Sequence, residues 1–247
     1  MNLLIDAIAW IFDPAHLDGP NGIPTRLVQH LGISLAVLVI ASVIAIPVGY
    51  LIGHTGRGRG IAVSLTGGLR ALPTLGLLII LALWLGIGLE APLIALVVLA
   101  VPPILAGAYS GFEAVDRRTI DAARAVGMTE RQIVSKVEIP LGLPLLIGGL
   151  RSGTLQIIAT ATLADYVGAG GLGHFIFVGQ KTNDYPQMLA GSVLVILLAL
   201  LSEGIFAIIQ KLAVPRGVSA GAAERTDVRT SSSRRVAVVG SPTEERK

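Results

Sequence analysis

Four stretches of this chain contain no Asp, Glu, Lys or Arg: residues 27–56, 71–89, 91–112 and 185–202. Each is long enough, or nearly so, for the roughly 20 residues a helix needs to cross a bilayer. A fifth stretch, about 144–164, is interrupted only by Arg151. Composition agrees, since 14% of the chain is charged and 53% hydrophobic, against about a quarter charged in ordinary soluble domains. The sequence therefore predicts an all-α polytopic membrane protein. Its five transmembrane helices are expected at about 27–52, 70–88, 92–113, 144–165 and 187–212. Ile61 to Leu69 reads as a helical lead-in to the second, with Gly67-Gly68 and Pro73 punctuating the boundary.

Five crossings place the two ends of the 27–214 membrane domain on opposite sides, and short-loop charge chooses which. Arg57, Arg59, Arg70, Arg117, Arg118, Arg124, Arg131, Lys136, Lys211 and Arg216 fall on one side. The other has only Arg26 and Lys181, beside Asp6, Asp13, Asp18, Glu90, Asp165 and Asp184. The basic side is expected to be cytoplasmic. That puts residues 1–26 outside, the 114–143 loop inside and the C-terminus in the cytoplasm. Residues 1–24 lack the basic start of a signal peptide, and Asp6 interrupts the apolar run. Ile5 to Phe12 reads instead as a short interfacial helix with Trp10 at headgroup level. From Pro215 the composition turns to Arg, Ser, Thr, Gly, Glu and Ala, so 215–247 is expected to be a solvated, disordered basic tail.

Several chemistries are disfavoured. The chain has no cysteine, and its four histidines, His16, His30, His54 and His174, lack metal-ligand spacing. No G-x-x-x-x-G-K-[ST] occurs, so ATP cannot be held by a P-loop. Neither a nucleophile–base set nor an acid/base dyad stands out. Basic residues follow topology rather than forming a nucleic-acid patch. No cofactor, metal or catalytic residue is expected.

The most informative segment is Asp121 to Pro140, DAARAVGMTERQIVSKVEIP, a polar module between apolar spans. A short helix begins near Asp116, with Ile120, Ala123 and Gly127 at one-face spacing. Gly127 is placed to end it in the left-handed region. A capping box, Thr129 with Gln132, restarts a second helix that is expected to end at Ile139-Pro140. The first helix is flat, because Ala122, Ala123 and Ala125 carry little side chain, and such a helix suits insertion into a cleft on another protein. An ordinary amphipathic connector is the other reading of the same residues.

This module resembles the EAA loop of permease subunits of binding-protein-dependent ABC importers. The family pattern is Glu-Ala-Ala, three residues, Gly, nine residues, then Ile-x-Leu-Pro. Asp121, Ala122, Ala123, Gly127, Val137, Ile139 and Pro140 fall on it without a gap, with Asp for Glu, Val for Ile and Ile for Leu. The resemblance implies a type I ABC importer permease fold and a loop that couples to an ATPase.

Gly168-Ala169-Gly170-Gly171-Leu172-Gly173 fits the dinucleotide fingerprint G-x-G-x-x-G, but the context is wrong. That fingerprint needs a preceding strand and an acidic residue about 20 positions on; here a membrane helix precedes it and the region around Leu194 is apolar. So much glycine lets the chain turn sharply near the membrane surface, with Phe175, Ile176 and Phe177 forming a short apolar piece after it. Asp165 to Gly179 resembles the segment after the fourth helix in osmoprotectant and methionine importers. Gly168, Gly170, Gly171 and Gly173 are thus a candidate extracellular gate, or a structural turn. The fourth helix is the most polar, with Arg151, Ser152, Thr154, Gln156, Thr160 and Thr162. Gln156 and Thr160 share a face and, with Tyr109 and Trp84, are candidates to line a pathway. Helix–helix bonding is the alternative for the threonines. Gly149-x-x-x-Gly153 matches a close-packing motif that 30 glycines could supply by chance. Glu203 is a conceivable partner for Arg151.

From His30 to Glu203 the chain is similar to permeases for glycine betaine, carnitine or choline, supported by Ala71-Leu72-Pro73-Thr74-Leu75, Gly86-Ile87-Gly88 and the glycine run. This resemblance implies a second permease subunit, identical or homologous, two cytoplasmic ATPases and an extracytoplasmic substrate-binding protein. A methionine-type permease is the nearest alternative. A channel or scaffold without ATPase coupling is a different class, and an intramembrane enzyme is disfavoured.

Overall fold

The computed structural model describes residues 2–213, and the expected 215–247 tail lies outside them. Ten α-helices make up most of this region: α1 Leu3–Phe12, α2 Ile23–Thr55, α3 Arg59–Arg70, α4 Thr74–Leu85, α5 Glu90–Glu113, α6 Arg117–Ala125, α7 Glu130–Ile133, α8 Ile139–Thr160, α9 Gly173–Thr182 and α10 Tyr185–Ala213. No strand occurs among the described residues. Four helical stretches are long and apolar enough to cross a membrane, and the α3–α4 pair makes five if counted as one broken span.

That pair departs from the single helix expected over 70–88. Its two helices meet at 86°. The residue before a proline is pushed out of the α region, and Pro73 has no N–H to continue a helix. Pro73 accordingly starts α4 from an extended conformation. At 12 residues, α4 is about 18 Å long, short of the ~30 Å hydrocarbon layer. The segment still runs from end to end of the bundle. Arg59 pairs with Glu113 at the foot of α5, while the Gly88 N–H donates to the Val167 carbonyl at the other end, 3.0 Å away.

A second correction concerns Pro140, which was expected to end a helix. Instead the chain continues from α7 through a π turn, Val134–Glu138, straight into α8. A proline inside an α-helix clashes with the carbonyl four residues back. The wider π turn shifts the register, so that the Ile139 N–H bonds the Val134 carbonyl five residues away, and Pro140 then falls in the first turn of α8, where its missing N–H is tolerated.

The core lies where α2 and α8 pack on α5. It is built from Ile33, Val37, Ala41, Ala45, Leu96, Ala100, Ile104, Leu105 and Ile157. In lipid, where apolar side chains gain little by leaving the solvent, helices associate by close backbone approach. Small residues supply it: a Cβ added at Gly107 would lie 2.6 Å from the Gly149 Cα, and one at Gly111 2.6 Å from the Gly142 carbonyl oxygen. The Gly149-x-x-x-Gly153 motif is therefore used, since Gly153 receives Ile104 on the same face. Leu35, Val43, Leu83, Trp84, Leu200, Leu201 and Ile208 point outward. This apolar shell needs a bilayer or another apolar surface to cover it.

Candidate functional site

At one end of the bundle, the 114–143 loop is assembled by local signals. Asp116 caps α6 by accepting from the Arg118 N–H at 2.9 Å. The helix closes at Gly127, with φ +85°, through two bonds: Met128 N–H to the Ala123 carbonyl at 3.1 Å and Gly127 N–H to Arg124 at 2.9 Å. Those two bonds form a Schellman closure. The Thr129–Gln132 capping box is complete and starts α7. Between the two helices, Arg124 Nε donates to Glu130 Oε1 at 2.8 Å. A second guanidinium nitrogen donates to Oε2 at 3.2 Å. Glu130 is held below its usual carboxylate range chiefly by this hydrogen bond, and Arg124 is raised by the same contact.

The faces of α6 are now assigned. Ala123 is buried and Ile120 half-buried against the chain itself, whereas Asp121, Ala122, Ala125 and Val126 are exposed. Val126 is an apolar side chain 78% exposed at the tip. Of the residues that sequence spacing grouped on one face, Ile120 and Ala123 form the inward face, whereas Gly127 is exposed at the turn. Asp121 lies 3.5 Å from Arg124 on its own helix. Val137, Ile139 and Pro140 are half-buried where the π turn enters α8. Behind α6 sits a cavity of about 270 Å³ lined by His54, Arg59, Tyr109, Glu113, Arg124 and Glu138, among others.

The opposite end is organised around the glycine run. Gly168, Gly170 and Gly171 have φ between +80° and +96°, the region that L side chains rarely adopt. Gly173 has no room for a side chain, because a Cβ there would collide with the Thr162 carbonyl. His30 of α2 pins this turn. Its Nε2 lies 3.0 Å from the Ile158 carbonyl, and its Nδ1 3.3 Å from the Leu172 N–H. A neutral ring with its proton on Nε2 satisfies both partners. Gln29 adds a bond from the Gly171 N–H at 3.2 Å. Beside the turn, Arg26, Asp165, Tyr166, His174, Phe177 and Lys181 line an open cleft of about 620 Å³. Trp10 of α1 stacks on His16 at 3.8 Å and meets Phe175 edge-on at 5.2 Å.

The pathway candidates are not brought together by this chain alone. Gln156 donates to the Leu99 carbonyl at 3.1 Å, tying α8 to α5. Thr160 donates within its own helix to the Gln156 carbonyl at 2.7 Å. Tyr109 opens onto the cavity behind α6, and Trp84 is 86% exposed on α4. Arg151 does meet Glu203: Nε donates to Oε2 at 2.8 Å, a second nitrogen contacts Oε1, and Nη1 reaches Gln210 at 3.2 Å. This pair fastens α10 to α8.

Sequence reading passed over His30, His54 and Val126. His30 left a signal, since a lone polar side chain in an uncharged stretch must find a partner when buried. The partners lie 128 and 142 residues away, beyond any local pattern. Val126 was legible as the large apolar residue just before the helix-ending glycine.

Comparison with known proteins is consistent with this geometry. The glycine betaine/carnitine/choline transport system permease protein OpuCB of Bacillus subtilis (strain 168) is 32% identical over 190 residues, 77% of this chain and 88% of that one. The carnitine transport permease protein OpuCB of Listeria monocytogenes is 34% identical over 199 residues, covering 81% and 89%. Among solved structures, the inward facing MetNI methionine ABC transporter matches with TM-score 0.66 and 25% identity, over 76% of this chain and 94% of that one. Residues 29–216 match the family described as the binding-protein-dependent transport system inner membrane component. The chain belongs to that family, and is a multi-pass permease subunit of the ABC importer type residing in the cell membrane.

Proposed function

We propose that this chain forms the membrane pathway of an ATP-driven importer for a compatible solute of the glycine betaine, carnitine or choline class. In this reading the α6 end is cytoplasmic and docks an ATPase, and the glycine end is extracytoplasmic and receives a substrate-binding protein. A second permease subunit completes the pathway. Gln156, Thr160, Tyr109 and Trp84 line it, and the Gly168–Gly173 turn gates it. ATP-driven closure of two ATPases draws the two α6 helices together as levers and exposes the pathway alternately to each side.

The observation that carries this reading is α6 itself. It is a nine-residue helix closed at both ends by its own chain, and its outward face presents Thr119, Ala122, Ala125, Val126 and charges. Such a face is flat enough to enter a cleft and apolar enough at its tip to be anchored there. The charge asymmetry supports the orientation. Curated relatives that transport these solutes support the solute class, and a pathway with few ionised groups suits a zwitterion or a quaternary amine. A methionine importer is the second reading, favoured by the fold likeness to the methionine transporter.

Reconstitution with the ATPase and binding protein that co-purify with the chain tests it. Uptake of labelled betaine, carnitine or choline is expected; uptake of methionine alone moves the protein to the second reading. Orientation is checked by single cysteines at Asp18, Arg131 and Asp184, on a background that has none. A membrane-impermeant thiol reagent should label the first and third in intact cells, and labelling at Arg131 alone would reverse the topology.

A further inference from the structure

We propose that His54, at the end of α2, is the positioning residue that fastens the first membrane span to the coupling loop and so transmits movement of α6 into the bundle. This inference rests on the coupling role assigned to α6. His54 is placed to act on both parts of the loop. Its Nδ1 donates to Glu138 Oε2 at 2.7 Å, and Glu138 is 3% exposed. Its Nε2 lies 3.8 Å from Glu130 Oε2. Glu130 is in turn held by Arg124 of α6, which also faces Asp121. A single ring thus stands between the π turn that feeds α8 and the salt-bridged corner of α6 and α7.

The surroundings make His54 the specific holder of Glu138. Around the same cavity, Arg59 of α3 is committed to Glu113 of α5, and Arg124 is committed to Glu130 and Asp121. Tyr109 and Arg117 complete the titratable lining. Among the described residues, Glu138 has no hydrogen-bond donor other than His54. A buried carboxylate with one partner strongly favours keeping it, because losing that partner leaves a costly unpaired group. The π turn gives the bond its leverage. Such turns are rare and recur at functional sites; here the turn spans Val134–Glu138, connects α7 to α8 and is placed to act as the hinge between them. When an attached ATPase displaces α6, the hinge would absorb the motion unless its inner edge were tied. His54 ties that edge to α2, which with α5 forms the centre of the bundle.

The test is a double-mutant cycle on the full chain in lipid nanodiscs, read by hydrogen exchange of the loop amides over 117–138. His54→Ala and Glu138→Ala should each speed exchange there by about tenfold, the change expected for one charge-assisted hydrogen bond. The double variant should be no worse than either alone. His54→Gln, whose amide can still donate to Glu138, should recover most of the protection. Unchanged exchange in His54→Ala, or single effects that multiply in the double, would sink the proposal. Amides of 168–173 serve as the folding control. If they also lose protection in the alanine variants, His54→Gln decides: native-like protection supports the clamp, and exchange as fast as in His54→Ala removes it. In the complete reconstituted transporter, the alanine variants should raise the ATP consumed per solute imported several-fold while ATPase binding stays intact. A positive exchange cycle in a chain that binds no ATPase would refute the coupling reading and leave the clamp standing.

Discussion

One helix, α2, carries a histidine near each end, and the two are held in opposite ways. His30 is fully buried and bonds only backbone, the Ile158 carbonyl and the Leu172 N–H. His54 is partly exposed and faces two carboxylates, Glu138 and Glu130. These backbone partners belong to α8 and to a turn whose glycines fix its shape, so the His30 end has one arrangement. Carboxylate partners sit on side chains of a hinge and a salt-bridged corner, and these can be exchanged or released. The difference teaches where this permease is rigid and where it can move. The glycine end is anchored by burial, and the loop end is anchored by charge, which water and partners can compete for.

The comparison breaks most readily at the rigid end. Replacing His30 with Leu leaves the Leu172 N–H without its acceptor and removes the bond to Ile158. The expected cost is about 2–4 kcal/mol of global stability, from one buried unsatisfied donor and one lost hydrogen bond. Thermal unfolding of the purified chain in detergent should show a fall of several degrees, with exchange accelerated at 168–173 first. A His30→Leu variant as stable as the native chain would show that the glycine turn holds itself.

At the loop end, the same order of local cost should leave the bundle standing. Gly127 has φ +85°, and a β-branched residue is poorly tolerated there, by roughly 1–2 kcal/mol. Gly127→Val should therefore open the α6–α7 corner while the unfolding temperature changes little. ATPase docking and transport should fall together. Val126→Asp tests the same face without strain: it adds a charge at an already exposed tip, so folding should be unaffected and only docking lost. Ala123→Asp does not test the docking face. Ala123 is buried within the chain, so that substitution should destabilise the loop itself rather than a contact with a partner. Full transport by Gly127→Val would reduce the loop to a connector.

These cases also mark how far the sequence could be read. Four of the five spans, the caps at Asp116 and Thr129 and the Gly127 stop rest on hydropathy and on residues within five positions of one another, and they lie within a few residues of their expected places. The Arg151–Glu203 pair was legible because two charges at like depth in lipid have few other choices. What escaped was set by packing at long range. The 86° bend needed more than Pro73 to foresee, and the passage through Pro140 depended on a π turn that no motif announces. The two histidines of α2 find hydrogen-bond partners between 84 and 142 residues away. Gly149-x-x-x-Gly153 was hidden by abundance, one match among many glycines. The pathway candidates were chosen for polarity, and polarity in lipid also serves helix bonding: the Gln156 amide reaches Leu99 across to α5.

The smallest effect concerns the exposed pair that closes the loop corner. Arg124 holds Glu130 below its usual range through a two-point hydrogen bond. A carboxyl that is more acidic in the folded corner than in the opened one stabilises that corner only while ionised. The contribution is complete above the ordinary glutamate value of about 4.3. It fades as pH falls through the lower value of the folded state. Both groups are exposed, so salt should weaken the pair at every pH. Hydrogen exchange at 124–132 should therefore be insensitive to pH between 8 and 5, after correction for intrinsic rates, and rise in acid. Glu130→Gln should bring the acid level of exchange to neutral pH, without touching 168–173. Equal acid sensitivity at both ends would show that Asp165, which faces Arg26 and His174 beside the glycine turn, anchors that end by charge as well.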